Sequence, residues 1–370
     1  MAAPIRPEIP TFRAVWNEQL RDPAPTTTKK VLKAAWNVLS VLIPPIGLAR
    51  VVGWAIGFVA KKLTLPSAWF YGNQTIHRSH RIFRDLYFGP IRDHNREVRE
   101  QFEITPHHIA TPDGARLNAY HFRHRQSDEN TETVVFCQSN ACFSEQHVYS
   151  WLIDKAAARG SVCNFVVFDY RGVVKSRGDA KRAQDLLIDT ESAYQFARDA
   201  LHVAPERMRW YGWSLGGANS ANIKALHPEC TARYVNERSF SSASEVVWHS
   251  IPKAIRPLFF WIPFAWRSQG WNISAPLDKI KGEALIVFHR DDSTIPFSAS
   301  ARQAALKANR AFQMIELYQT AEQIAEGHDR IVDHHFEDLD KYMASPGQRA
   351  DDAIADFILP PPAAAAVNIA

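Results

Sequence analysis

From Gln101 onward, short apolar runs recur at Val134–Cys137, Phe165–Phe168, Met208–Gly212, Leu285–Phe288 and Phe312–Tyr318, with helical stretches between several of them. Runs of this length, apolar on both faces, are the signature of buried parallel strands joined by crossover helices. One crossover helix is legible: Leu186, Thr190, Ala193, Ala197, Ala200 and Leu201 share a face at helical spacing, and Pro205 follows its end. Upstream, Asp113-Gly114 between the apolar stretches Phe102–Ile109 and Leu117–Phe122 predicts a two-residue hairpin turn. Repeated strand-helix units imply a mostly parallel central sheet covered by helices on both faces.

The chemistry points to Gly212-Trp213-Ser214-Leu215-Gly216, followed by Gly217, between the strand Met208–Tyr211 and the helical run Ala218–Leu226. G-x-S-x-G between a strand and a helix is the context of a nucleophile elbow, a strained turn that lifts the serine hydroxyl out of the sheet. Side chains two positions either side of the serine collide with the neighbouring strand and helix, so Gly212 and Gly216 are required there.

A serine hydroxyl is a weak nucleophile at neutral pH and needs a base, which a third group must orient. Downstream, His289-Arg290-Asp291-Asp292 follows the run Leu285–Phe288, which puts a carboxylate at the carboxyl end of a parallel strand. Asp292 is the expected triad acid, with Asp291 the competitor. Glu326-Gly327-His328 follows the last apolar run and supplies the expected base, with His289 its rival. The backbone N–H of Leu215, with Asn140 of the loop Gln138-Ser139-Asn140-Ala141-Cys142, is the expected oxyanion hole.

These features together resemble the α/β-hydrolase fold over roughly residues 101–359. The loops are similar to those of the prolyl-oligopeptidase-like and bud-emergence-protein-like serine hydrolases, since Phe168-Asp169-Tyr170-Arg171-Gly172 resembles their D-Y-R-G turn. The stretches Leu42-Ile43-Pro44-Pro45 and Leu65-Pro66 also resemble the N-terminal extension of the chlamydial-type hydrolase-like family. Against that pattern, Gln138-Ser139 stands where His-Gly is usual, Val174 where a second glycine follows D-Y-R-G, and Arg290 where glycine often precedes the acid.

Around this core the expected organisation is a proline-rich tail over 1–28, an apolar helical extension over 29–100, a catalytic domain over 101–359 and a C-terminal tail over 360–370. No signal peptide is predicted in the first of these. Between Lys29, Lys30 and Lys33 on one side and Lys61 and Lys62 on the other, only Arg50 carries charge, yet Pro44 and Pro45 break the stretch. Residues 29–62 are therefore too interrupted for a spanning helix and suit a kinked or interfacial membrane contact, with Trp36 and Trp54 at the headgroup level. Packing on the catalytic domain is the alternative. A cap is expected at 244–272, where Trp248, Phe259, Phe260, Trp261, Phe264, Trp266 and Trp271 cluster, with a core helix on the sheet the competing reading.

Composition excludes several classes. A formal net charge of +4 with no run of like charges gives no footprint for nucleic acid. Cys137, Cys142, Cys163 and Cys230 lack disulfide-scaffold density and metal spacing, which suits reduced core thiols and a cytosolic compartment; secretion as an effector stays open. Asp329, Asp333, His334 and His335 beside His328 repeat no ligand spacing, so no metal is expected, nor any cofactor. His107 and His108 are read as a solvated strand face. The expectation is a serine hydrolase acting on a small-molecule or lipid-like ester or thioester, with a peptidase and a non-catalytic interaction module as the alternatives.

Overall fold

The computed structural model describes residues 96–140, 142–144, 149–180, 182–251, 253–254, 256, 272–320, 339 and 342–362. The tail and apolar extension over 1–95, the aromatic positions from Phe259 to Trp271, His328 with the acidic and histidine residues beside it, and 363–370 lie outside them.

A short helix α1 (Arg96–Gln101) leads into a hairpin of β1 (Phe102–Ala110) and β2 (Arg116–His124). There follow β3 (Thr133–Cys137), α2 (Ser150–Arg159), β4 (Asn164–Phe168), α3 (Ala183–Gln195), β5 (Met208–Trp213), α4 (Leu215–Leu226), β6 (Tyr234–Glu237) and α5 (Ala243–Ser250). The rest comprises α6 (Ser274–Lys279), β7 (Ala284–His289), α7 (Ala301–Lys307), β8 (Gln313–Leu317), a small hairpin of β9 (Met343–Ser345) and β10 (Gln348–Arg349), and α8 (Ala350–Ile358).

The first eight strands form one sheet in the order β1-β2-β4-β3-β5-β6-β7-β8. The β1–β2 and β2–β4 pairs are antiparallel and the others parallel. This order, with helices on both faces, is the α/β-hydrolase fold. β3, β4, β5, β6 and β7 are buried at every position, as central parallel strands must be, whereas β8 starts exposed at the sheet edge.

Alternation along each strand splits the core in two. Val135 and Cys137 of β3 face a layer that includes Leu186, Leu215, Ala218, Leu277 and Ala304 of α3, α4, α6 and α7. Val134 and Phe136 face Val98, Leu152, Ile153, Ile354 and Ile358 of α1, α2 and α8. Each such Val, Ile, Leu or Phe contributes about 1.5–3 kcal/mol by leaving water. Salt bridges from Lys155 to Asp351 and Asp352, at 2.7 and 2.6 Å, tie α2 to α8 over the second layer.

Three expectations need correction. The β1–β2 turn is a five-residue loop, residues 111–115, because the Thr111 hydroxyl accepts from the Ala115 N–H at 2.8 Å and draws the chain wider than a two-residue turn. Gly114 still serves as a turn residue, with φ 91°. The predicted α3 face fails at its end: residues 196–200 form a π-helical turn, which leaves Ala200 exposed and Leu201 half-buried while Leu186, Thr190, Ala193 and Ala197 are buried. His107 is not on a solvated face, since its ring lies 5.0 Å from Phe196 of that π turn and burial holds it below the ordinary histidine range; His108 is exposed.

Candidate active site

Ser214 sits between β5 and α4 with φ 52° and ψ −115°, in the left-handed region that side chains ordinarily avoid. Its N–H donates to the Glu237 carbonyl of β6 at 2.8 Å, and its own carbonyl accepts from Gly217 N–H at 2.9 Å. The turn is held by packing that admits no side chain. A Cβ on Gly212 would lie 2.6 Å from the Gly216 oxygen and from Gly217 Cα, and one on Gly216 would run into the Cys137 carbonyl and lie 2.7 Å from that of Gln138. From β6, the Tyr234 hydroxyl and the Asn236 amide both donate to the Gly217 carbonyl, at 2.9 and 3.1 Å, and anchor the first turn of α4.

Leu215 opens α4, so its N–H belongs to the free donors at a helix N-terminus, where the helix dipole also favours developing negative charge. Opposite it, Gln138, Ser139 and Asn140 follow β3. The Gln138 amide donates to the Phe168 carbonyl at 2.9 Å and to the Asp169 carboxylate at 3.0 Å. Asp169 Oδ1 also accepts from the Ser144 N–H and hydroxyl, at 2.6 and 2.7 Å, and Oδ2 from the Asn118 amide at 2.9 Å. The glutamine standing where histidine is usual thus links the loop after β3 to the turn after β4.

In that turn, the Arg171 N–H and Nε donate to the Asp189 carboxylate of α3, each at 2.8 Å, while the guanidinium spans to Asp113 of the β1–β2 loop. Val174 has φ 43°, which is why glycine suits that position better.

Asp292 follows β7 at the same carboxyl edge of the sheet, with the loop after β6 between it and Ser214. Its Oδ1 accepts from the N–H groups of Thr294 and Ile295, both at 2.8 Å, which fixes the carboxylate, whereas Asp291 is exposed. His289 is the last residue of β7, and its Nδ1 accepts from the Asp291 N–H at 2.9 Å. A triad histidine must instead donate from Nδ1 to the acid, so His289 organises its own loop and does not fit the base. Ser214, Leu215, Asn140 and Asp292 thus all follow the carboxyl ends of neighbouring parts of the sheet, after β5, β3 and β7.

The four cysteines are free and buried. Burial pushes the thiols up, Cys142 and Cys230 to about 12, which leaves them protonated and weakly nucleophilic. Among the described residues no group of three or more His, Cys, Asp or Glu side chains could hold a metal ion.

Residues 5–236, more than half of the chain, match the family described as Chlamydia CHLPS protein (DUF818). The chain belongs to that family. The DUF818 match takes in the N-terminal stretches read above as chlamydial-type and runs to within β6. Among curated relatives, the protein YfhR of Escherichia coli (strain K12) is 33% identical over 115 residues, 30% of this chain and 38% of its own length. YfhR of Salmonella typhimurium is 37% identical over 132 residues, 32% of this chain and 43% of its own. The DUF818 chain thus spans less than half the length of either. Among solved structures, an acetyl xylan esterase from Paenibacillus sp. R4 aligns with TM-score 0.48 and 13% identity, covering 63% of this chain and 82% of that one. The Pyrococcus furiosus esterase Pf2001 aligns with TM-score 0.45 and 16% identity, covering 58% and 82%.

The sequence reading missed Glu237 and Arg238, which flank the elbow from the next strand. Glu-Arg at the end of a run as polar as Tyr234-Val235-Asn236-Glu237 was the available signal.

Proposed function

We propose that the protein is a serine hydrolase that cleaves ester or thioester bonds of an apolar acyl or lipid-like substrate through an acyl-enzyme. The observation that carries this reading is the left-handed Ser214, 4% exposed, on a glycine-shaped turn between β5 and α4 at the carboxyl edge of the sheet. In this scheme Ser214 Oγ attacks the acyl carbon as His328 takes its proton, and Asp292 holds the imidazole. The N–H of Leu215 and Asn140 receive the charge on the carbonyl oxygen. The leaving alcohol or thiol departs with the proton from His328, and water, deprotonated by the same base, releases the acid and restores the serine.

A fluorophosphonate probe tests the reading. Labelling of the wild type, lost in Ser214→Ala and in His328→Ala, supports it, and p-nitrophenyl esters of rising chain length then report the acyl preference. A folded wild type that takes no label overturns it in favour of a non-catalytic interaction module. Label with turnover of peptide amides alone makes it a peptidase.

A further inference from the structure

Arg238 follows β6 immediately and is the strand neighbour of the nucleophile: Trp213 pairs with Glu237 in register, and the next residues along are Ser214 and Arg238. Both have left-handed backbones, Arg238 with φ 44°, a conformation that costs energy for residues with a side chain and collects at functional sites. The Arg238 N–H donates to Val287 of β7 at 2.8 Å, so the strain is built into the sheet.

The side chain is committed on one side only. Nε and Nη2 lie 2.9 and 2.7 Å from Glu237 Oε1, and the guanidinium stacks over the Trp213 ring at 5.5 Å. Glu237 Oε2 meanwhile accepts from the Tyr211 hydroxyl, so this carboxylate is shared and only part of it compensates Arg238. Nη1 is buried and has no hydrogen-bond partner among the described residues. A guanidinium N–H withdrawn from water without an acceptor is costly, and buried donors left so call for a reason.

The surroundings indicate what could supply the acceptor. Arg238 is close enough to Cys142, in the loop after β3, and to His289, at the end of β7, for its charge to favour the deprotonated form of each, which puts the guanidinium near the carboxyl edge of the sheet. Arg238 and Ser214 are buried to the same extent, each 4% exposed. An anionic oxygen suits the free N–H best, because charge-assisted hydrogen bonds are the strong ones and a planar guanidinium on an aromatic face is already oriented.

We infer that Arg238 is a specificity-determining residue whose Nη1 binds a carboxylate carried by the substrate, so that the enzyme prefers esters with an anionic acyl end. The inference rests on the serine-hydrolase reading above and gives the acyl group a charged end in place of a wholly apolar one. The acyl carbonyl sits at Ser214 while the terminal carboxylate meets Arg238.

The test compares p-nitrophenyl monoesters of succinate, glutarate and adipate with neutral alkanoyl esters of equal length. Wild type is expected to favour at least one charged ester by about tenfold or more in kcat/KM, the scale of one hydrogen bond to a charged group. Arg238→Met should bring that ratio near one, and Arg238→Lys should retain part of it. Because Arg238→Met strands Glu237, the double variant Glu237→Gln/Arg238→Met keeps the pair neutral and reads the same ratio in a folded protein. Equal rates on charged and neutral esters, or a preference that survives in the double variant, overturn the inference and leave the hydrolase standing. Absence of Ser214-dependent turnover on every ester overturns both.

Discussion

The side-chain amide of Gln138 and the carboxylate of Asp169 are joined by a buried hydrogen bond of 3.0 Å, which couples the loop after β3 to the turn after β4. Asp169 gathers Gln138, Ser144 and Asn118 around one carboxylate, so the loop after β3 is held by a residue thirty-one positions from Gln138 in sequence. Replacing Gln138 with leucine should lower unfolding stability by about 1–3 kcal/mol, since the carboxylate keeps its burial and loses a donor. Denaturant unfolding measures this, and slower fluorophosphonate labelling should accompany it.

Gly216 lies so close to the Cys137 and Gln138 carbonyls that a methyl group cannot enter without moving β3 or α4. Gly216→Ala should destabilise by about 1–3 kcal/mol, the usual range for overpacking, and abolish labelling of Ser214. Thermal unfolding beside probe labelling reads both, and a fully labelled, wild-type-stable variant contradicts the packing argument.

The two carboxylates after β7 should separate cleanly. Asp292→Asn retains an oxygen for the Thr294 and Ile295 N–H groups and so should fold normally, yet lower kcat on the order of 10³–10⁴-fold by losing the charge that orients the base. Asp291→Asn, at an exposed position, should stay within about twofold of wild type. Steady-state kinetics on one p-nitrophenyl ester decides between them.

A pH signature lies at the opposite edge of the sheet. His227 follows α4, with Nε2 2.8 Å from Glu191 and Nδ1 3.0 Å from Glu229. Burial disfavours the imidazolium, but the hydrogen bonds and charges of the two glutamates outweigh it, so His227 titrates above its ordinary value. A raised folded pKa means that its contribution is fully present below the unfolded value of about 6.5 and is lost as pH rises through the folded one. The stability gap between wild type and His227→Gln should therefore be wide at pH 6 and shrink towards pH 9, which thermal melts across that range will show.

Among the described residues no helix is long and apolar enough to cross a membrane. The apolar stretch at 29–62, with its lysine flanks and Trp36 and Trp54, calls for a separate test. Full-length protein should pellet with anionic phospholipid vesicles, and a chain truncated to begin at Tyr87 should not. Equal pelleting of the two removes the membrane reading.

Several features were legible in the residues because they are local. Apolar runs fit for buried strands mark β3, β4, β5 and β7, the glycines two places either side of Ser214 mark the elbow, and an acid just past β7 marks Asp292. Each depends on spacing within a few residues, which backbone geometry alone imposes. β6 was not legible, because Asn236 and Glu237 make it look polar; the fold buries them by bringing Gly217, Tyr211 and Arg238 to their side chains. The same holds for the clasp between Gln138 and Asp169, and for the placement of Arg238 beside Ser214. Strand order decides which distant residues become neighbours, and a buried polar group is stable only once such a neighbour has arrived.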